Sequence, residues 1–149
     1  MKVIGLGAPD ELRVRFEACE IDVLVDVLRE QRASATRDAA ETYRVAPRQT
    51  RTVDHSHDRL RAVERLLMQL EEQPQTKTGA VLLGDTQLMC DVVRDGAREA
   101  LRRLEETHTR YEDHASPESR DALLNAADTA TAWVATLTAV DRVDRGWDA

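Results

Sequence analysis

The chain has 149 residues, 33% of them charged, and a formal net charge of −7. This length fits one domain, so we expect residues 1–149 to form a single domain with its own hydrophobic core. The acidic charge argues against general nucleic-acid binding, which needs a basic surface.

No run approaches the roughly 20 apolar residues of a membrane-spanning helix. The apolar start, residues 1–6, is too short for an export signal. We therefore expect a cytoplasmic protein with no membrane or nucleic-acid partner.

The first sixteen residues have a pattern typical of strands. Residues 3–6 are apolar and are followed by a Gly-Ala-Pro-Asp break, and apolar residues then alternate with arginines in residues 12–16. This pattern predicts two short strands around a turn. The apolar segment 80–83 fits either a short buried strand or an extra buried turn of helix. The strand alternative would make the fold α+β, with a small sheet that includes residues 80–83.

Beyond residue 17 the period changes to that of amphipathic helices. The first helix should end before Pro47, with a break near residues 33–36, and the second should cover about 53–73. Asp85 and Ser116 are good N-caps for a third and a fourth helix, because their side-chain oxygens can accept hydrogen bonds from first-turn amides. Gly96 should allow a neighbour to approach the third helix. The sequence therefore predicts a mainly α fold, an antiparallel bundle of about four helices with a short N-terminal β-hairpin.

The two cysteines, Cys19 and Cys90, lie in apolar segments of predicted helices. A cysteine in such a segment is usually a small buried hydrophobe. Two cysteines do not make a disulfide framework, which fits a reducing compartment.

The histidines form two near-pairs, His55 with His57 and His108 with His114. Helical bundles can bind metals through inward-facing carboxylates and histidines. Glu112 follows His108 by four residues, which puts both on one helix face, and His108 lies on the predicted core stripe. A metal-binding bundle that uses His108 and Glu112, with or without His55 or His57, is therefore one hypothesis. The alternative is that the histidines are structural or exposed, with His108 partly buried, and that the chain holds no metal or cofactor.

One stretch of the chain has a local excess of positive charge. Residues 29–51 contain only three acidic residues but six arginines, which are Arg29, Arg32, Arg37, Arg44, Arg48 and Arg51. Such a stretch is either a solvated helix face or a docking patch for an acidic protein partner.

Catalytic motifs are absent from the sequence. It has no Gly-x-Ser-x-Gly elbow, no phosphate-binding loop and no Cys-x-x-Cys pair, so we assign no catalytic residue and do not expect an enzyme. The predicted helices have wide apolar stripes, and an N-terminal hairpin would leave strand edges that need cover. Since two-fold dimers are the commonest oligomers, the leading hypothesis is a protein that acts through protein–protein association, as a homodimer.

Overall fold

The computed structural model describes residues 3–6, 10–45, 50–73 and 78–144, with side chains for residues 10–44, 57–73 and 78–144. The elements in chain order are strands β1 (Val3–Leu6) and β2 (Glu11–Phe16), helices α1 (Ile21–Val45) and α2 (Thr50–Glu72), strand β3 (Ala80–Asp85), and helices α3 (Thr86–Asp113) and α4 (Pro117–Asp144). A 3-10 turn, Ala18–Glu20, leads into α1. The fold is mainly α, with four helices among the described residues, as the sequence predicts.

The sheet has β2 at its centre, with β1 and β3 antiparallel on its two sides. Leu12, Val14 and Phe16 of β2 are fully buried, and the arginines between them are exposed, which confirms the predicted alternation. Residues 80–83 form a strand and not an extra turn of helix, since they lie in β3. The small sheet therefore includes them, while the fold as a whole is mainly α. Gly79 precedes β3 with a φ of 80°, and a Cβ there would lie 2.0 Å from the carbonyl oxygen of Phe16. The turn into β3 therefore requires glycine.

The four helices form two antiparallel hairpins, α1 with α2 and α3 with α4, which meet where α1 packs on α3. The predicted start signals are confirmed. Asp85 Oδ1 accepts a hydrogen bond from the Leu88 amide at 3.0 Å, and Ser116 Oγ accepts one from the Ser119 amide at 3.0 Å. Each bond satisfies a first-turn amide that has no partner within its helix.

Helix α1 is continuous, so the predicted break near residues 33–36 is wrong. Gln31 and Ser34 interrupt the apolar pattern of the sequence, but Ala35 and Ala39 stay buried and continue the inner face. Alanine has the highest helix propensity, so a weaker apolar stripe does not end the helix.

The centre of the core is Trp133 of α4, which is fully buried. Its ring lies 5.4 Å from the ring of Phe16, centroid to centroid. A Cβ at Gly96 of α3 would lie 2.1 Å from the Trp133 ring. The close approach predicted at Gly96 is therefore confirmed, and the neighbour that makes it is Trp133.

A buried carboxylate ties the start of α1 to α4. Glu20 is fully buried, and its Oε2 accepts a 2.8 Å hydrogen bond from the Thr136 hydroxyl, which is also fully buried. Its Oε1 accepts a 2.9 Å bond from the Glu17 amide. A buried carboxylate is costly unless it is hydrogen-bonded, so these bonds fix the 3-10 turn against α4.

Candidate functional site

The histidines that carried the metal hypothesis do not form a metal centre among the described residues. His108 is 56% exposed, and its Nε2 lies 3.6 Å from Glu112 Oε1. His114 is the exposed C-cap of α3, and His57 lies half-buried on α2. The side chain of His55 lies outside the described residues. No group of three or more histidine, cysteine or acidic residues that could hold a metal occurs in the part of the chain the structure describes.

The predicted partial burial of His108 is wrong. The buried residues of α3 run from Leu88 to Ala100, and the later turns of the helix are largely exposed. The apolar stripe of the sequence continues to Tyr111, but the core ends about three turns earlier. An apolar period indicates a helix face, while burial also requires an element on the other side.

The two cysteines differ in their environment. Cys90 is buried as predicted, and burial raises the pKa of its thiol, helped by the negative charge of Asp144. Cys19 is exposed, so its predicted burial is wrong. It lies in the 3-10 turn beside Glu20, and it is Glu20 that points into the core at this position.

The described arginines of the arginine-rich stretch lie on the surface of α1. Arg29, Arg32, Arg37 and Arg44 are all exposed along α1, and two of them have acidic partners. Arg37 lies 3.6 Å from Glu30, and Arg44 lies 2.8 Å from Glu41. The side chains of Arg48 and Arg51 lie outside the described residues. An acidic partner at this stretch stays a prediction.

Ion pairs join the two helix hairpins where they meet, a contact that we call the seam. At one end, Arg59 of α2 donates to Asp91 Oδ2 at 3.0 Å and to Gln31 Oε1 at 3.2 Å. Gln31 in turn donates to Asp95 Oδ2 at 2.6 Å. Three helices therefore share one polar network, because Gln31 belongs to α1 and both aspartates belong to α3.

At the other end of the seam, Arg103 of α3 bonds to Asp26 of α1 and to Glu99. Arg102 also bonds to Glu99, at 2.7 Å. The hydrogen bonds from Arg102 and Arg103 outweigh partial burial and lower the pKa of Glu99 from 4.5 to about 2. A groove of about 410 Å³ lies over these residues. Its arginines and acidic residues pair with one another, so the groove presents no uncompensated charge cluster to a ligand.

The outer edge of β3 is covered by two glutamines, Gln69 of α2 and Gln73, the residue that follows α2. Gln69 accepts from the Leu83 amide at 2.8 Å and donates to the Leu83 carbonyl at 2.7 Å. Gln73 makes the same two bonds with Val81, at 2.7 and 2.6 Å. Each side-chain amide thus replaces the peptide group of a neighbouring strand. This edge is already satisfied and does not need the partner that an open edge would invite.

The outer face of α4, the side of the helix that is turned away from the core, differs because it carries exposed apolar side chains. Leu124 is 52% exposed and Val134 is 41% exposed, and Leu101 of the adjoining helix α3 is 48% exposed. Asp128 is the one charged residue in the segment 122–140. None of the described helices, α4 included, is long and apolar enough to cross a membrane.

Comparison with known proteins does not assign the chain to a family. No family model matches this sequence, and no curated protein and no solved structure is significantly similar to it. Function must therefore be argued from the surfaces themselves.

Proposed function

We propose that this protein acts through protein–protein association, and that two copies form a homodimer through the outer face of α4. The observation that carries the proposal is the pair of exposed apolar side chains, Leu124 and Val134, on a helix segment with a single charge. A surface helix normally turns a charged face to water, and an exposed apolar face marks an interaction site.

A second copy of the chain is the partner that this face fits best. A two-fold interface uses the same surface patch on both copies, so a net charge on that patch is repeated on its partner. The outer face of α4 limits that repulsion because Asp128 is the one charged residue in the segment 122–140. Elsewhere the net charge of −7 makes two copies repel each other. Association is therefore least opposed at this face.

The size of the face indicates a moderate affinity. From Leu124 to Thr138 the helix rises about 21 Å, which is the length of a small contact. One helix face of this length gives an interface near the lower limit for specific complexes. We expect a concentration-dependent equilibrium between monomer and dimer.

The metal hypothesis receives less support from the geometry. His108 contacts Glu112 across one helix turn, and both side chains are exposed. A bundle metal site needs ligands that converge from facing helices, and the described residues contain no such group.

A matched pair of substitutions tests the proposal. Val134→Asp puts a charge in the proposed interface twice, once from each copy, and should weaken dimerisation on the order of a hundredfold or more. Met68→Asp is the control, because Met68 is 59% exposed but lies on α2, outside the proposed interface. Sedimentation velocity should show a monomeric V134D protein at concentrations where the native and M68D proteins are dimers.

Circular dichroism would establish that both variants fold, which is expected because both positions are exposed. A V134D protein that dimerises as well as M68D would overturn the proposed interface. A native protein that is monomeric throughout would overturn the proposed function.

A further inference from the structure

A groove of about 330 Å³ lies where the start of α1 meets α3 and α4. We call it the three-helix groove. Its apolar lining comes from Val23 and Ala100, which are buried, and from Ala126, which is half-buried. Polar side chains from all three helices line the rest. A volume above about 300 Å³ and a mixed apolar and polar lining are typical of small-molecule sites.

Four of the polar side chains around this groove already have partners within the chain. Arg103 and Glu106 take part in ion pairs with residues of α1 and α3. Thr107 and Thr129 donate their hydroxyl protons to backbone carbonyls, at 2.6 and 3.2 Å. A ligand that bound to these four groups would have to replace bonds that the fold already makes.

Three other polar side chains of the three-helix groove are in a different situation. Asp22 belongs to α1, Arg110 to α3 and Asn125 to α4, and all three are exposed. None of them makes an ion pair or a side-chain hydrogen bond with another described residue. In the groove of the seam, by contrast, arginines and acidic residues pair with one another. The three-helix groove therefore offers a ligand one carboxylate, one guanidinium and one amide.

This set of groups selects the charge of a ligand. The Arg110 guanidinium can donate two parallel hydrogen bonds to a carboxylate, and the Asn125 amide can donate a further one. The Asp22 carboxylate can accept a bond from an ammonium group. An anion would be repelled by Asp22 and a cation by Arg110, whereas a zwitterion satisfies both. The apolar lining gives a surface on which an aliphatic side chain of the ligand can be removed from water.

We propose that the three-helix groove binds a free α-amino acid with an aliphatic side chain. Arg110 and Asn125 bind its carboxylate, Asp22 binds its ammonium group, and its side chain packs on the apolar lining. This site does not depend on the proposed homodimer, because neither Leu124 nor Val134 lines the groove. Since the groove is open to solvent, we expect a dissociation constant on the order of 0.5 mM.

Isothermal titration calorimetry of the full chain with L-leucine tests the proposal. Two derivatives test the role of each charge. Leucine methyl ester has no carboxylate and is a cation, and N-acetyl-leucine has no ammonium group and is an anion. Each derivative should bind at least about tenfold more weakly than leucine, because it loses one charge-assisted bond and meets one uncompensated like charge.

Matched substitutions place the binding in the groove. Asp22→Asn and Arg110→Gln should each weaken leucine binding about tenfold, since each removes one charged partner. D22N should also abolish the preference for leucine over N-acetyl-leucine, because the group that selects the ammonium is gone. Asp121→Asn and Arg120→Gln are the controls, because both residues are exposed on α4 and do not line the groove. Circular dichroism would establish that all four variants fold.

The proposal is supported if leucine binds, both derivatives bind more weakly, and only D22N and R110Q lower the affinity. It is overturned if leucine gives no binding heat at about twenty times the expected dissociation constant. It is also overturned if leucine and N-acetyl-leucine bind equally, or if D22N and R110Q bind leucine as well as the controls do. A protein that binds leucine but stays monomeric would overturn the proposed function and leave this site in place.

Discussion

The seam between α1 and α3 and the outer face of α4 are both surfaces of helices, but they differ in what they leave unsatisfied. In the seam, Arg103 of α3 donates to Asp26 of α1 across the two helices and to Glu99 of its own helix. On α4, Leu124 and Val134 remain largely in contact with solvent. One surface completes its interactions within the chain, and the other does not.

The difference shows where an interaction surface is to be sought in this molecule. A cluster of paired charges and a groove of about 410 Å³ lie in the seam, and they first suggest a ligand site. Their charges already have partners, so a ligand there would have to break existing ion pairs. The outer face of α4 carries one charged residue in the segment 122–140, and binding there removes the apolar surface of Leu124 and Val134 from water without breaking the ion pairs of the seam.

The largest expected effect comes from the packing that supports α4. Gly96→Val would force a side chain into the space held by the Trp133 ring, since even a Cβ would lie 2.1 Å away. We expect a loss of about 3 kcal/mol in the free energy of unfolding, from overpacking of a full core. Urea denaturation measures it. Arg98→Val, at an exposed position of α3, is the control for helix propensity. Equal losses in both variants would mean that the contact with Trp133 is unimportant.

A smaller effect is expected at the covered edge of β3. Gln69→Leu removes both bonds to Leu83 and leaves its amide and carbonyl without their side-chain partner. We expect a loss of about 2 kcal/mol and faster hydrogen exchange at the Leu83 amide. Gln87→Leu is the matched control, because Gln87 is exposed and donates only a 3.3 Å bond to Asp91. Unchanged exchange at Leu83 would show that the glutamine does not protect this edge.

The smallest effect is expected in the charged seam. Glu99→Gln removes the carboxylate that Arg102 and Arg103 share. Because the side chain is partly solvated, we expect a loss of about 1 kcal/mol at neutral pH. The pKa of Glu99 is lowered to about 2 in the folded protein. Its stabilising contribution is therefore fully present above pH about 4.5 and is lost as the pH falls toward about 2.

The difference in unfolding free energy between native and E99Q proteins should shrink over that pH range. Urea denaturation at several pH values measures this difference. Glu105→Gln, an exposed acidic residue of the same helix, should show little difference at any pH. A constant difference for E99Q across the range would contradict the assigned ion pairs.

Much of the fold could be predicted because its signals are local. The caps Asp85 and Ser116 satisfy amides three residues away, and the alternation in β2 depends on neighbouring positions. The pairing of Gln69 with Leu83 could not be predicted, since it depends on how α2 lies along β3. The prediction that His108 is partly buried failed for a related reason, because the period of apolar residues in a sequence does not show where the core ends.

The exposure of the outer face of α4 could be predicted only in part from the sequence. The scarcity of charge in the segment 122–140, where Asp128 is the one charged residue, is plain in the sequence. Whether such a segment is buried inside one chain or open to a second copy depends on which helices pack around it. The structure supplies that information through the exposure of Leu124 and Val134.

Sedimentation equilibrium of the unmodified protein over a range of concentrations is the most direct test of the central claim. The account predicts that the average mass rises with concentration from 16.8 kDa toward twice that value. It also predicts that V134D stays at the monomer mass over the same range. A native protein with the monomer mass at every concentration would contradict the account.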